Sequence, residues 1–223
     1  MKKILLIALI CSLISTFTFA QSKDQPKINE KTGFPEITDK PFIIINEGLS
    51  TALVTRIQLQ ENRNNFVYEN IMIGAFVSAQ TVNMKPINSL VQLTVYYPLE
   101  NRFNGMSQSA KQVILYAGDL FAGPIFESNF WEYVKLNFSV GLHYMYQLTD
   151  EYHLNYLGAG AKVCVELPVA KTWTIITNGM MTIDYPNFGT NKKVQPFDYS
   201  WQYHLDIGVR YSIKAQNVYS YIK

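Results

Sequence analysis

The chain has 223 residues, of which 16% are charged and 14% aromatic, whereas ordinary soluble domains are about 25% charged. With 19 Lys and Arg against 17 Asp and Glu, it lacks the basic footprint that nucleic acid requires, so no nucleic-acid partner is expected. So much apolar and aromatic surface with so little charge suits a protein solvated partly by lipid.

Met1-Lys2-Lys3 is a short positive start, Ile4 to Phe19 is mostly apolar, and Thr18-Phe19-Ala20 offers small residues for cleavage. This is the pattern of an export signal over 1–20, removed after Ala20. Cys11 follows Ile10, where lipoprotein processing wants a small residue, so no lipid anchor is expected. Loss of Lys2 and Lys3 leaves 17 basic and 17 acidic side chains and a formal charge of zero. Cys164 is then the one cysteine, which rules out an internal disulfide, and it is expected to be packed rather than reactive. Residues 21–40 are polar, contain Pro26, Gly33 and Pro35, and show no period; they read as an unstructured periplasmic lead-in.

From Pro41 the chain alternates with a period of two, the mark of β-strands whose successive side chains point to opposite faces. Glu47 to Leu59 sets Leu49, Leu53 and Ile57 against Gly48, Ser50 and Arg56; Val67 to Thr81 sets Ile71, Ile73 and Val77 against Asn70, Met72 and Phe76. Ser89 to Leu99 comes third, and then Gln112 to Phe126, which is ambiguous because both faces are apolar apart from Asp119. Val134 to Leu148 alternates strictly, with Lys135, Asn137, His143, Met145 and Gln147 on its polar face. Leu157 to Leu167 and Trp173 to Tyr185 come next. The clearest strand, 201 to 213, carries Trp201, Tyr203, Leu205, Ile207, Val209 and Tyr211 opposite Gln202, His204, Asp206, Gly208 and Arg210. Strands of this length match the ~9–11 residues that a tilted strand needs to cross a membrane.

Eight such strands close into an antiparallel up-and-down transmembrane β-barrel over 41–213 with both termini on the periplasmic side, leaving a tail at 214–223. Glu100 to Lys111 and Pro186 to Asp198 are long polar outward loops, Glu61 to Asn65 and Thr149 to Leu154 shorter ones, and Pro168 to Lys171 an inner turn. A soluble lipocalin-like barrel would alternate too, but would expose a charged face to water. Here the polar face is poor in charge and holds Gly48, Gly74, Gly141, Gly158, Gly160 and Gly208, which fits the crowded interior of a narrow membrane barrel.

The last third of the chain, Leu157-Gly158-Ala159-Gly160-Ala161, then Leu167, Lys171, Trp173-Thr174-Ile175, Ile183-Asp184-Tyr185 and Ile207-Gly208-Val209-Arg210-Tyr211, resembles the closing strands of the OmpW/OprG-like family of small outer-membrane barrels. That resemblance implies an outer membrane of the Gram-negative type, assembly by the barrel machinery, and a passive conduit for small hydrophobic compounds. It also implies an apolar lumen open sideways to lipid. One departure is the stretch Lys214 to Lys223 after Ile213, since such barrels end on an aromatic of the last strand. Tyr211, Tyr219 or Tyr221 are the substitutes on offer.

Met72, Phe76, Leu115, Phe121, Met145 and Met180 are the apolar lumen candidates, and could either bind solute or simply fill the barrel. Arg56, Asp119, Lys135, His143, Lys162, Glu166, Asp184, His204, Asp206 and Arg210 are the polar ones, as ion-paired plugs or as a gate. The expected pairs are Arg210 or Arg56 with Asp206, and Lys162 with Glu166. Pro98, Pro124 and Pro186 near strand ends either terminate strands or interrupt pairing. No enzyme is expected: Ser200 and His204, the one tempting nucleophile and base, are separated by roughly 13 Å along a strand, too far to hydrogen-bond. Three scattered histidines and one cysteine match no metal spacing, and no cofactor is implied. The second functional reading is a closed structural or surface-display barrel whose long loops bind an external partner.

Overall fold

Period-two stretches of this length have one way to bury a polar face and satisfy every backbone group at once, which is to wrap round until the first and last edges meet. In the computed structural model this happens. The structure describes residues 42–59, 66–84, 87–107, 114–131, 133–149, 153–170, 172–186 and 199–217. The expected export signal and lead-in, and the loop 187–198, lie outside the described residues.

The strands are β1 Phe42–Leu59, β2 Phe66–Val82, β3 Asn88–Phe103, β4 Met106–Ser107, β5 Ile114–Trp131, β6 Val134–Thr149, β7 His153–Pro168, β8 Trp173–Pro186 and β9 Tyr199–Asn217. Apart from the two-residue β4, which pairs only with the end of β3, each is antiparallel to its neighbours in the order β2-β1-β9-β8-β7-β6-β5-β3, and β2–β3 pairing closes the ring. The fold is thus an all-β, closed, eight-stranded antiparallel barrel. The end that holds Leu59 and Phe66 is called outer, and the end that holds Phe42 and Val82 inner.

Following directly opposed residues around the wall leads from Asn46 through Ser78, Gln92, Phe121, His143, Gly158, Asp184 and Ser200 back to β1 at Gln58, twelve residues higher. Such a stagger, with ~3.3 Å per residue and ~4.8 Å between strands, tilts the strands by about 45°. On β8 the aromatics Trp173 and Tyr185, and on β9 Tyr211 and Tyr199, stand twelve residues apart. At that tilt each pair spans ~28 Å, the height of an outward apolar band between two aromatic girdles. Trp131, Tyr133, Trp173 and Tyr211 mark the inner girdle; Tyr97, Tyr144, Tyr146, Tyr185, Tyr199 and Trp201 mark the outer one. Between them Leu49, Leu53, Ile73, Leu93, Leu142, Leu157, Leu205 and Ile207 stand exposed on the outside.

The alternation assigns the faces as expected, and the differences lie at strand ends and bulges. β1 starts five residues before Glu47, because the run Phe42-Ile43-Ile44-Ile45 is paired although it does not alternate. β9 runs four residues past Ile213, to Asn217, by way of an irregularity opposite Ile45/Asn46, so part of the expected tail is strand. The expected loop from Glu100 is also partly strand: β3 continues to Phe103 and turns at Asn104 (φ 48°) and Gly105 (φ 80°). Two positive φ values suit a two-residue hairpin turn. The Asn104 backbone N–H donates to the Val67 carbonyl at 2.8 Å, and its side-chain oxygen accepts from the Val67 N–H at 2.9 Å. A bulge at Leu99 reverses parity beyond it, so Asn101 and Phe103 share the inner face with Asn70 and Tyr68. His153, expected in a loop, is in β7 and stacks on Tyr146 at 6.1 Å.

Pro98 and Pro124 lie inside strands rather than at their ends. Pro98 pairs with Met72 beside the Leu99 bulge, while Pro124 pairs with Ser89 of β3 and interrupts the β5–β6 ladder between Ala122↔Leu142 and Ile125↔Ser139. Their rings occupy positions where a ladder N–H is not required. Pro186 does end β8.

Leu205 is 57% exposed and lies six residues from each girdle tyrosine of β9. Leu205→Arg is expected to destabilise the lipid-reconstituted barrel by about 2–4 kcal/mol, as a charge at the bilayer midplane does. Urea unfolding in vesicles measures this, and a cost near zero would mean that water covers this face.

Candidate functional site

Among the described residues the inward side chains between the girdles form layers of polar and apolar contacts. In the outer layer Arg56 of β1 reaches across the barrel. Its guanidinium donates to Gln147 Oε1 at 2.6 Å on β6, donates to Gln202 Oε1 on β9, and lies 4.1 Å from the centroid of the Tyr156 ring on β7. Beside it Gln58 donates to the Tyr156 hydroxyl at 3.1 Å. Met145, Leu154 and Tyr156 pack together at the same level.

The middle layer is built on His143. Its Nδ1 lies 2.7 Å from Asp184 Oδ1 and its Nε2 lies 2.9 Å from Asp119 Oδ2, with all three side chains buried. A neutral imidazole has one N–H, so only the doubly protonated ring donates to both carboxylates. Thr182 donates to the other oxygen of Asp184 at 2.6 Å. The bond from β6 to β8 passes over Gly158 on the intervening β7, where a Cβ would come 1.9 Å from the Ile183 carbonyl oxygen and 2.5 Å from Asp184 Oδ1. A glycine is required there. Across the lumen His204 Nε2 meets the Tyr96 hydroxyl at 3.1 Å and Asp206 at 3.5 Å, and Asn178 donates to Asp206 at 2.7 Å.

In the inner layer Lys162 donates to Gln92 Oε1 across the lumen at 2.5 Å. Arg210 grips Glu166 through two parallel bonds of 2.6 Å each, and Asn137 adds a third donor to the same carboxylate. Lys135 pairs with Glu127 at 2.5 Å. A cavity of about 30 Å³ lies among Gln92, Asn137, Lys162, Glu166, Asn178 and Arg210. It holds a water or two and is not a channel.

The polar candidates do meet one another or neutral side chains inside the barrel, but the partners differ from those expected. Arg210 pairs with Glu166 rather than Asp206, Lys162 with Gln92 rather than Glu166, and Arg56 with two glutamines. Across a staggered barrel the nearest side chain is set by register, which the sequence of one strand does not contain. Among the described residues the inward ions are Arg56, Lys135, Lys162 and Arg210 against Asp119, Glu127, Glu166, Asp184 and Asp206, and His143 as an imidazolium makes the two sides equal.

Four of the apolar candidates lie in clusters of buried side chains. Met72 joins Ala52, Val54, Tyr96 and Ala117, while Phe121 and Met180 join Leu90 and Ile125. Met145 lies with Tyr156, and Phe76 borders the small cavity. The side chain of Leu115 lies outside the described residues. Cys164 is half-buried beside Glu166, with its sulfur 3.9 Å from the carboxylate. Tyr96, Tyr156, Gln92, Gln147 and Gln202 are partners that sequence reasoning missed; the only signal they carry is an inward position with a long polar tip. Among the described residues no hydrogen bond joins Ser200 to His204. Ser200 instead reaches the Asp184 carbonyl oxygen at 3.4 Å. No group of three or more His, Cys, Asp and Glu side chains among the described residues is arranged to hold a metal.

No protein-family model matches the chain, and no curated protein sequence does. Solved structures do show a likeness. Neisserial surface protein A is 12% identical over 76% of this chain and 96% of its own, with a TM-score of 0.46. Ail, the attachment invasion locus protein of Yersinia pestis, is 12% identical over 78% of this chain and 99% of its own, with a TM-score of 0.43. The outer membrane protease OmpT of Escherichia coli is 8% identical over 78% and 97%, with a TM-score of 0.27.

Glu166→Gln is expected to cost about 3 kcal/mol, at the low end for a buried pair because Arg210 keeps 13% exposure, and Glu166→Leu with Arg210→Met is expected to recover most of it. Equilibrium unfolding of the two variants separates this from a purely local packing loss, in which the double change would be the worse. Gly158→Val is expected to push Asp184 off His143 and lower the melting temperature more than Gly179→Val, whose added Cβ meets nothing within 4 Å.

Proposed function

We propose that the protein is an outer-membrane barrel that does not conduct, a closed scaffold whose task is carried out by the groups it presents at its outer end. The observation that carries this reading is the set of bonds crossing the lumen at three depths: Arg56 to Gln147, Tyr96 to His204, and Lys162 to Gln92. The membrane placement rests on the apolar belt and its two girdles. The outer membrane of a Gram-negative-type envelope is the one that takes β-barrels, reached through the export signal read at residues 1–20 and the assembly machinery acting on β9. Outer-membrane lipid is then the partner of the belt.

The other reading is the conduit for small hydrophobic compounds that the OmpW/OprG-like resemblance implies. One observation favours it. The β3–β5 ladder runs from Asn88↔Ile125 only to Tyr96↔Ala117, and Pro98 stands just beyond its outer end. If solute left sideways, this seam is where it would pass.

Flux into liposomes carrying the refolded protein decides between them. The closed scaffold predicts that neither an apolar dye nor a sugar crosses faster than in protein-free vesicles. Apolar flux that Phe76→Arg or Met145→Arg weakens would overturn it in favour of the conduit.

A further inference from the structure

We propose that the outer end of the barrel holds a binding site for an amphiphilic monocarboxylate, with Arg56 and Gln202 receiving the carboxylate and the aromatic lip above them receiving the apolar body. Arg56 is 2% exposed, yet its polar partners are neutral, and no carboxylate among the described residues lies within 4 Å. A buried guanidinium is ordinarily paired with an anion because leaving its charge uncompensated is costly. The nearby inward carboxylate, Asp184, is already taken by His143 and Thr182.

The unmet groups name the chemistry. Arg56 Nε and Gln202 Nε2 are both buried without a hydrogen-bond partner, and the two residues are joined by the bond from the guanidinium to Gln202 Oε1. Two adjacent N–H donors, one on a cation, are complementary to the two oxygens of a carboxylate. Taking up both leaves the bonds to Gln147 and Gln202 Oε1 in place.

The apolar half comes from the ladder. Arg56 lies directly opposite Tyr68 on β2, and Gln58 lies opposite Phe66. The Leu99 bulge turns Phe103 inward onto both rings, at centroid distances of 5.5 Å to Phe66 and 5.0 Å to Tyr68. Met106, paired with Phe103, is 69% exposed at the same rim. A head group on Arg56 therefore has an aromatic and thioether surface beside it on the outward side. A medium-chain fatty acid has this shape, whereas inorganic phosphate shares only the charge.

The test titrates the refolded full chain in a non-ionic maltoside detergent with sodium octanoate, octanol and inorganic phosphate, following the backbone amide signals of Tyr68 and Gln202. Octanoate is expected to shift both saturably and octanol not. Arg56→Gln is expected to weaken octanoate at least tenfold, Gln202→Leu several-fold, and Arg56→Lys less than Arg56→Gln. The heat-dependent shift on a gel verifies that each variant is folded, and Gln202→Leu carries the test if Arg56→Gln does not fold. Equal response to octanol, unchanged affinity in a folded variant, or no saturation by octanoate overturns the site. Phosphate binding as tightly as octanoate at the same residues overturns the apolar half of the assignment. The flux experiment is read separately from this result, since the bonds from Tyr96 to His204 and from Lys162 to Gln92 cross the lumen on the inner side of Arg56 whether or not it holds a carboxylate.

Discussion

Hydrocarbon offers a backbone amide no partner, and closure of the ladder between β2 and β3 is the constraint from which the rest of this structure descends. Closure with a stagger of twelve residues fixes the tilt, the tilt fixes how much strand crosses the apolar belt, and together they fix the width that inward side chains must fill. The long inward residues answer to that width: Arg56, Tyr96 and Lys162 all reach toward strands that are not their neighbours. Where two strands must approach closely the chain places glycine, as at Gly123 against the Val140 carbonyl oxygen and Gly141 against that of Ala122.

Filling a lumen with polar groups is stable only if the groups satisfy one another, because half-met networks are worse than apolar packing. Most of the interior meets that standard. His143 ties β6 to both β5 and β8, and Arg210 ties β9 to β7 past the intervening β8. Three clusters of buried apolar side chains pack among these bonds. Buried polar atoms without a partner among the described residues include Arg210 Nε, His204 Nδ1 and Asn137 Oδ1, and at the outer end the unmet donors Arg56 Nε and Gln202 Nε2 belong to two residues bonded to each other.

Strand number, closure and the assignment of faces are legible in the sequence because a period of two leaves each residue only two choices. Alternation does not encode register. It pairs Arg210 with Asp206, four residues earlier on its own strand, but the side chain that faces the arginine is Glu166, two strands away. Strand ends are also lost wherever alternation lapses. The apolar run Phe42 to Ile45 has no period, and the bulge at Leu99 silently swaps the faces of the residues beyond it, hiding Phe103 from any pattern-based reading. The site around Arg56 is half visible in the sequence: the arginine falls on the inward face, but its glutamine and tyrosine partners come from three other strands.

Ion conductance across a planar bilayer tests the filled lumen most directly, because a single ion needs less room than any solute. The bonds that span the interior predict a current indistinguishable from that of the bare membrane at every voltage, in the presence of fully inserted protein. Stable, ohmic single-channel steps would contradict the account, since they require a continuous aqueous path through layers that this structure shows occupied.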